Sequence, residues 1–131
     1  MGIYKIKKRL GGKERMAVFL DSSNVEEIQK YHKMGIVRGV TTNPTIMFKD
    51  GVTGGMDGIK KRSIEIAHLV HPLPVSVEVM TNEKEEMISQ AKEFSQWADN
   101  INVKITFHGP NGELDNVEVI HELETKHNVR V

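Results

Sequence analysis

The sequence predicts an α/β fold, a parallel sheet with helices packed along its outer face. Two observations lead there. Short β-rich runs alternate with helix-patterned stretches from residue 17 to residue 131, joined by short connections in the manner of consecutive βα units. Within each run apolar and polar side chains also alternate, so the strands present one aliphatic face and one polar face.

"AVFLD" (17–21) is the first predicted strand. In the following "SSNVEEIQKYHKMG", Ser22, Ser23 and Asn24 can cap a helix and Gly35 can end it. "IVRGVTTNP" (36–44) is a second strand, stopped by Pro44. Residues 50–58, with glycines at 51, 54, 55 and 58, read as a loop. "IKKRSIEIAHLV" (59–70) has helical spacing at Ile59, Ile66 and Val70, with Ser63 and Ala67 between them. "LPVSVEVM" (73–80) is a third strand. The next stretch (81–100) is a helix capped by Thr81 or Asn82, with Met87, Ile88, Ala91, Phe94 and Trp97 or Ala98 along its buried stripe. "INVKITF" (101–107) is a fourth strand, residues 113–127 are helical, and the closing "NVRV" opens a fifth strand.

Composition narrows the function classes. At 131 residues the chain can build one ordinary core. Eighteen basic side chains balance eighteen acidic ones, so no global field draws it to nucleic acid or an anionic membrane. No apolar run reaches the ~20 residues of a membrane helix. The absence of cysteine excludes disulfides, thiolate chemistry and zinc–sulfur sites, and fits a reducing cytoplasm. The first fifteen residues carry six basic side chains and no apolar h-region, so they read as a flexible basic extension, with Met16 the expected natural start and 16–131 the folded part. The six histidines show no metal-ligand spacing, and the glycines of 50–58 do not follow a strand as a phosphate loop would. No metal and no cofactor are expected.

Strand parity points to a site. Val18 and Leu20, Val40, the three valines at 75, 77 and 79, and Ile101, Val103 and Ile105 share the aliphatic face. A doubly wound sheet is covered on both faces and would be apolar throughout. Here the other face carries Asp21, Asn43, Glu78 and Lys104, all near the carboxyl ends of their strands. In a β/α barrel that is one mouth, where active sites of such enzymes sit. Lys104 is the candidate nucleophile, because inside a barrel desolvation disfavours its charged form and a neutral amine attacks a carbonyl to form a Schiff base. The plainer alternative is a strand lysine stretched into water. Asp21 and Glu78 are the candidate acid/base pair, since imine chemistry needs proton transfers at the carbinolamine and at a substrate hydroxyl. They could equally form an ion-paired cluster, and Asp21 could cap the next helix. Thr41, Thr42, Asn43 and Pro44 form either a binding loop or a simple turn.

These motifs carry a resemblance. "FLDSSNVEEIQKYHKMGIVRGVTTNPTIM" (19–47), "VSVEV" (75–79) and "NVKI" (102–105) resemble, in order, the first four strands of the transaldolase family, especially the compact branch that includes the fructose-6-phosphate aldolases. The resemblance runs from about Met16 to Val131. It implies a (β/α)₈ TIM barrel, of which this chain would supply about the first four βα units and the start of strand five. It also implies a sugar-phosphate substrate and transfer of a three-carbon unit through a lysine Schiff base, as in the pentose phosphate pathway. By motif, Lys104 is the imine lysine, Asp21 the acid/base at the carbinol and Asn43 the orienter of donor hydroxyls, with Thr41 and Thr42 at the same mouth. Glu78 stands where transaldolases have a glutamate acting through water and the aldolase branch an amide, which favours group transfer over an aldolase-type lyase. Thr106 departs from the family's proline after the lysine. A complete barrel needs ~200–250 residues, so a homo-oligomer or a complementary second half-barrel is expected as partner. A half-barrel that keeps the motif without turnover is the alternative.

Overall fold

The computed structural model describes residues 2–10 and 13–131. Its centre is a five-stranded sheet in the order β1 (Gly2–Leu10), β2 (Lys13–Asp21), β3 (Val37–Thr41), β4 (Val75–Glu78), β5 (Ile101–Lys104). From β2 to β5 the pairing is parallel, with helices between successive strands. The βα rhythm expected from the sequence is therefore present as a four-strand parallel sheet. Beyond β5 the chain returns to its edge, where the Val103 amide donates to the Arg130 carbonyl at 2.8 Å.

The basic stretch 1–15, expected as a flexible extension, is drawn into the sheet over Gly2–Leu10. This backbone pairs antiparallel with β2, from Gly2 opposite Asp21 to Leu10 opposite Lys13. The pairing supplies partners for the amides and carbonyls along the outer edge of β2, which would otherwise be an open template for another chain. β2 is accordingly longer than the apolar run 17–21.

Helix α1 (Val25–Lys33) begins as anticipated: Asn24 is the N-cap, its Oδ1 accepting from the Glu27 amide at 3.0 Å. Glu26 and Glu27 lie in the first turn and Lys30, His32 and Lys33 in the last, matching the helix dipole. Two helical features were not anticipated. β3 ends at Thr41, three residues short of Pro44, and Pro44 instead opens a short helix α2 (Pro44–Lys49), because a proline at the first helical position needs no amide partner. Helix α3 (Gly55–Val70) starts inside the stretch read as a loop. A Cβ on Gly58 would stand 1.8 Å from the Thr53 carbonyl oxygen, so this glycine permits a close backbone approach within a helix. Helix α4 (Lys84–Ser95) starts later than expected, with Glu83 at the N-cap. Thr81 instead accepts from the Glu83 amide and bonds Glu86 just ahead of the helix. Helix α5 (Asn116–Lys126) completes the set.

The core lies between the sheet's aliphatic face and these helices. Leu20, Val40, Val75, Val77, Ile101 and Val103 are buried against Ile28, Ile59, Ile66, Met87, Phe94 and Leu123. Along α4, Met87, Ala91, Phe94 and Trp97 are buried while Ile88 and Ala98 are only partly so, and the Phe94 and Trp97 rings lie 4.2 Å apart. Asn100 ties the layers together: its Nδ2 donates to the Ala67 carbonyl at 2.9 Å and the Leu73 carbonyl at 2.8 Å, joining the end of α3 to the start of β5. Replacing Asn100 by alanine leaves two carbonyls without that donor. We expect Asn100→Ala to lower unfolding free energy by about 1–3 kcal/mol, read from urea denaturation at constant m-value. A variant as stable as the parent would show that the bridge carries no net stabilisation.

Candidate active site

The inner face of the parallel sheet is polar because strand geometry turns alternate residues to it. Register aligns its members in rows. Asp21 pairs with Thr41, Thr41 with Ser76, and Ser76 with Asn102. One step further toward the strand ends, Glu78 pairs with Lys104. One step the other way, Phe19 pairs with Gly39. An ideal Cβ on Gly39 would fall 2.2 Å from Cε1 of Phe19, so the aromatic ring occupies the space that any side chain at 39 would need. The face thus has an aromatic floor on β2 and β3, a row of hydrogen-bonding groups, and an acid–amine pair at the rim.

Lys104 and Glu78 meet directly, with Nζ 3.1 Å from Oε2. The ion pair lies on adjacent strands, so backbone register and not a flexible loop sets the encounter. Lys104 is 41% exposed and Glu78 21%. The enclosed surroundings expected of Lys104 are therefore not formed by the described residues. An open pair of this kind contributes only about 0–1 kcal/mol to stability, so fold stability does not account for its placement.

Asp21 is engaged by Thr41, whose Oγ1 donates to Oδ1 at 2.8 Å. The two loop threonines, grouped together by the sequence, are separated by the structure. Thr42 is fully buried and its hydroxyl donates to the Ser76 carbonyl at 2.9 Å, so it closes the strand ends instead of facing the mouth. The cause is parity, since neighbouring residues of a strand project to opposite sides. Asn43 is the N-cap of α2, its Oδ1 accepting from the Ile46 amide at 2.9 Å. That bond fixes the amide and leaves Nδ2 as its donor toward a ligand. Asp21 does not cap α1; that position is taken by Asn24.

Ser76 and Asn102 belong to the same face, yet sequence reasoning did not single them out. With Lys104, Phe107, Ile120 and Val131 they help line a cleft of about 320 Å³ beside β5. The Asn102 Oδ1 is buried and accepts no hydrogen bond among the described residues. Their signal was available, since they lie two residues before Glu78 and Lys104 and so share parity with them. They were passed over because a serine or asparagine in a strand is chemically unremarkable. Asp21 and Lys104 stand on the first and last of four parallel strands. At about 4.8 Å per strand a flat sheet would hold them about 14 Å apart, so only sheet curvature can turn both toward one substrate.

Among the described residues no helix is long and apolar enough to cross a membrane. Comparison with known proteins agrees with the motif order. The family model described as transaldolase/fructose-6-phosphate aldolase matches residues 18–131. A protein named probable transaldolase from Dehalococcoides mccartyi is 37% identical over 115 residues, covering 88% of this chain and 49% of the relative. One from Exiguobacterium sibiricum is 46% identical over 90 residues, covering 69% of this chain and 40% of the relative. Another from Exiguobacterium sp. is 40% identical over 114 residues, covering 87% and 50%. The chain spans about half the length of the curated relatives it matches, or less. On a match that begins within β2 and takes in β3, β4 and β5, the chain belongs to the transaldolase/fructose-6-phosphate aldolase family.

Proposed function

We propose that this chain carries the amine, the acids and the orienting amide of a transaldolase-type site, which moves a three-carbon dihydroxyacetone unit between sugar phosphates through a Schiff base on Lys104. The observation that carries the reading is the 3.1 Å contact between Lys104 and Glu78 at the carboxyl ends of adjacent parallel strands. The printed names of the relatives support the reaction class. The cysteine-free composition suits a cytoplasmic setting.

The pair gives the amine a proton acceptor. In the minor state in which the Lys104 ammonium has passed a proton to the Glu78 carboxylate, the amine is neutral and nucleophilic and Glu78 is a carboxylic acid. The amine adds to the ketose carbonyl, forming a carbinolamine. Glu78, through water, returns its proton to the departing hydroxyl, which leaves as water while the C=N bond forms. The resulting iminium draws electrons from the adjacent carbon–carbon bond once Asp21 takes the proton of the neighbouring carbinol. Cleavage then yields an aldose and an enamine on Lys104. Addition of the enamine to a second aldehyde, with Asp21 returning its proton to the new alkoxide, forms the new carbon–carbon bond and regenerates the iminium. Water then adds to the C=N bond, and cleavage of the C–N bond releases the new ketose and restores Lys104. A carboxylate at 78 suits this shuttle and favours transfer over the aldolase-type lyase. Asn43, with Oδ1 held by its helix, would donate from Nδ2 to a donor-sugar oxygen.

The groups on β2–β5 form part of a mouth, and further strands would complete it. A complementary half-barrel, or a second copy of the chain, is the partner we infer. Phe107, Leu114 and Val117, exposed at 64%, 61% and 43% on the segment after β5, support it as apolar surface that such a partner would cover. A second reading, a half-barrel without turnover, is favoured by the 41% exposure of Lys104.

Borohydride trapping separates these readings. With fructose 6-phosphate and reductant, the purified chain should gain a covalent adduct at Lys104, absent from Lys104→Ala and formed roughly 100-fold more slowly by Glu78→Gln. A folded chain that gains none would favour the inactive half-barrel. The Asn43 assignment has its own check. Asn43→Ala should cost about 0.5–2 kcal/mol by loss of the cap. Asn43→Asp retains a capping oxygen and should keep its thermal midpoint while losing most trapping. Unimpaired trapping by Asn43→Asp would exclude Nδ2 as a substrate donor.

A further inference from the structure

We propose that Thr41 is a positioning residue for Asp21: it occupies Oδ1 and so selects Oδ2 as the oxygen that exchanges protons with substrate. The inference rests on the transaldolase reading of the site and assigns Thr41 a task other than the substrate binding implied by its motif. Four observations converge. Asp21 and Thr41 are register partners on neighbouring parallel strands. The Thr41 hydroxyl donates to Oδ1 at 2.8 Å. The backbone locks the pair immediately beyond it, where the Ser22 amide donates to the Thr41 carbonyl at 3.2 Å. Beneath the pair, the Phe19 ring lies across Gly39, in the space a side chain at 39 would fill.

The chemistry follows from the inventory of hydrogen-bonding groups. A hydroxyl has one proton to give. The Thr41 proton is given to Asp21, so Thr41 can offer a substrate only an acceptor lone pair. A carboxylate with one oxygen held has a fixed plane, and its remaining oxygen meets the carbinol proton without a search over rotamers. In the cleavage step that proton passes to Oδ2 as the carbon–carbon bond breaks and its electron pair enters the enamine. In the addition step the same oxygen returns it. Thr41 itself gains and loses nothing; its bond to Oδ1 persists through both steps. The aromatic floor below the pair limits the alternatives, because a carboxylate turned downward would face a ring instead of water or a donor.

Thr41→Val keeps the β-branched shape that suits a strand and removes the hydroxyl; Thr41→Ser restores it. Two steps are compared. Dihydroxyacetone forms an imine on Lys104 with no carbon–carbon bond for Asp21 to release, whereas turnover of fructose 6-phosphate with an aldose-phosphate acceptor needs Asp21 in both directions. Thr41→Val should slow transfer far more than it slows dihydroxyacetone trapping. Its kcat for transfer should fall roughly 10–100-fold with little change in KM, the loss expected when one charge-assisted hydrogen bond no longer holds the base. Thr41→Ser should recover most of it. A rise in KM at unchanged kcat would overturn the inference and return Thr41 to substrate binding. Crystal structures of parent and Thr41→Val give a readout independent of activity. Asp21 should hold one rotamer in the parent and several in the variant, and a single, unchanged rotamer in Thr41→Val would overturn the inference. Failure of the parent to trap either ketone would instead overturn the transaldolase reading, and the rotamer comparison alone would then decide the role of Thr41.

Discussion

A parallel strand must serve two environments with a period of two, and every feature of this chain answers to that constraint. Val75 and Val77 face the helices while Ser76 and Glu78 face the other way, and Ile101 and Val103 divide from Asn102 and Lys104 in the same manner. A slip of one residue in β4 or β5 would carry a carboxylate or an ammonium into the helix-packed core and expose a valine in its place. Burial of the valines and isoleucines therefore also fixes the polar row, as the hydrophobic effect holds the register and the register places the chemistry. No separate interaction is needed to bring Glu78 beside Lys104 or Thr41 beside Asp21.

The same constraint explains why neighbouring polar residues have different fates. Thr41 reaches Asp21 across the inner face, whereas Thr42 is sealed against the Ser76 carbonyl. Asn43 is fixed from the far side by the helix it caps, so its free amide is a property of α2 as much as of β3. Gly39 belongs to this group too. Its missing side chain is what allows Phe19 to cover two strands at the base of the site. Candidate site groups, caps and close-approach positions are thus interleaved along the five residues 39–43, and local identity alone does not distinguish them.

Some of this was legible before the fold was known. The strands of the parallel sheet, the Asn24 cap, the buried stripe of α4 and the candidate acids and amine all follow from periodicity and residue chemistry. Other features resisted for definite reasons. Pro44 signals a strand end and a helix start equally well, and only the hydrogen bonding of Asn43 shows the second. Gly58 has the composition of a loop but marks a close approach to Thr53 that no single-sequence signal records. The pairing of Gly2–Leu10 with β2 involves a stretch of fifteen residues that carries six basic side chains and no long apolar run, a pattern that reads as tail when seen alone.

By itself the sequence determined which residues share a face, because alternation along a strand is a local property of the backbone. It also determined the family, because four motifs in a fixed order carry it. Only the tertiary structure decided which of those residues meet. Contacts between strands depend on register and on the packing that sets it, and these join positions twenty or more residues apart. That is how Glu78 came to Lys104, Thr41 to Asp21, and Phe19 to rest on Gly39.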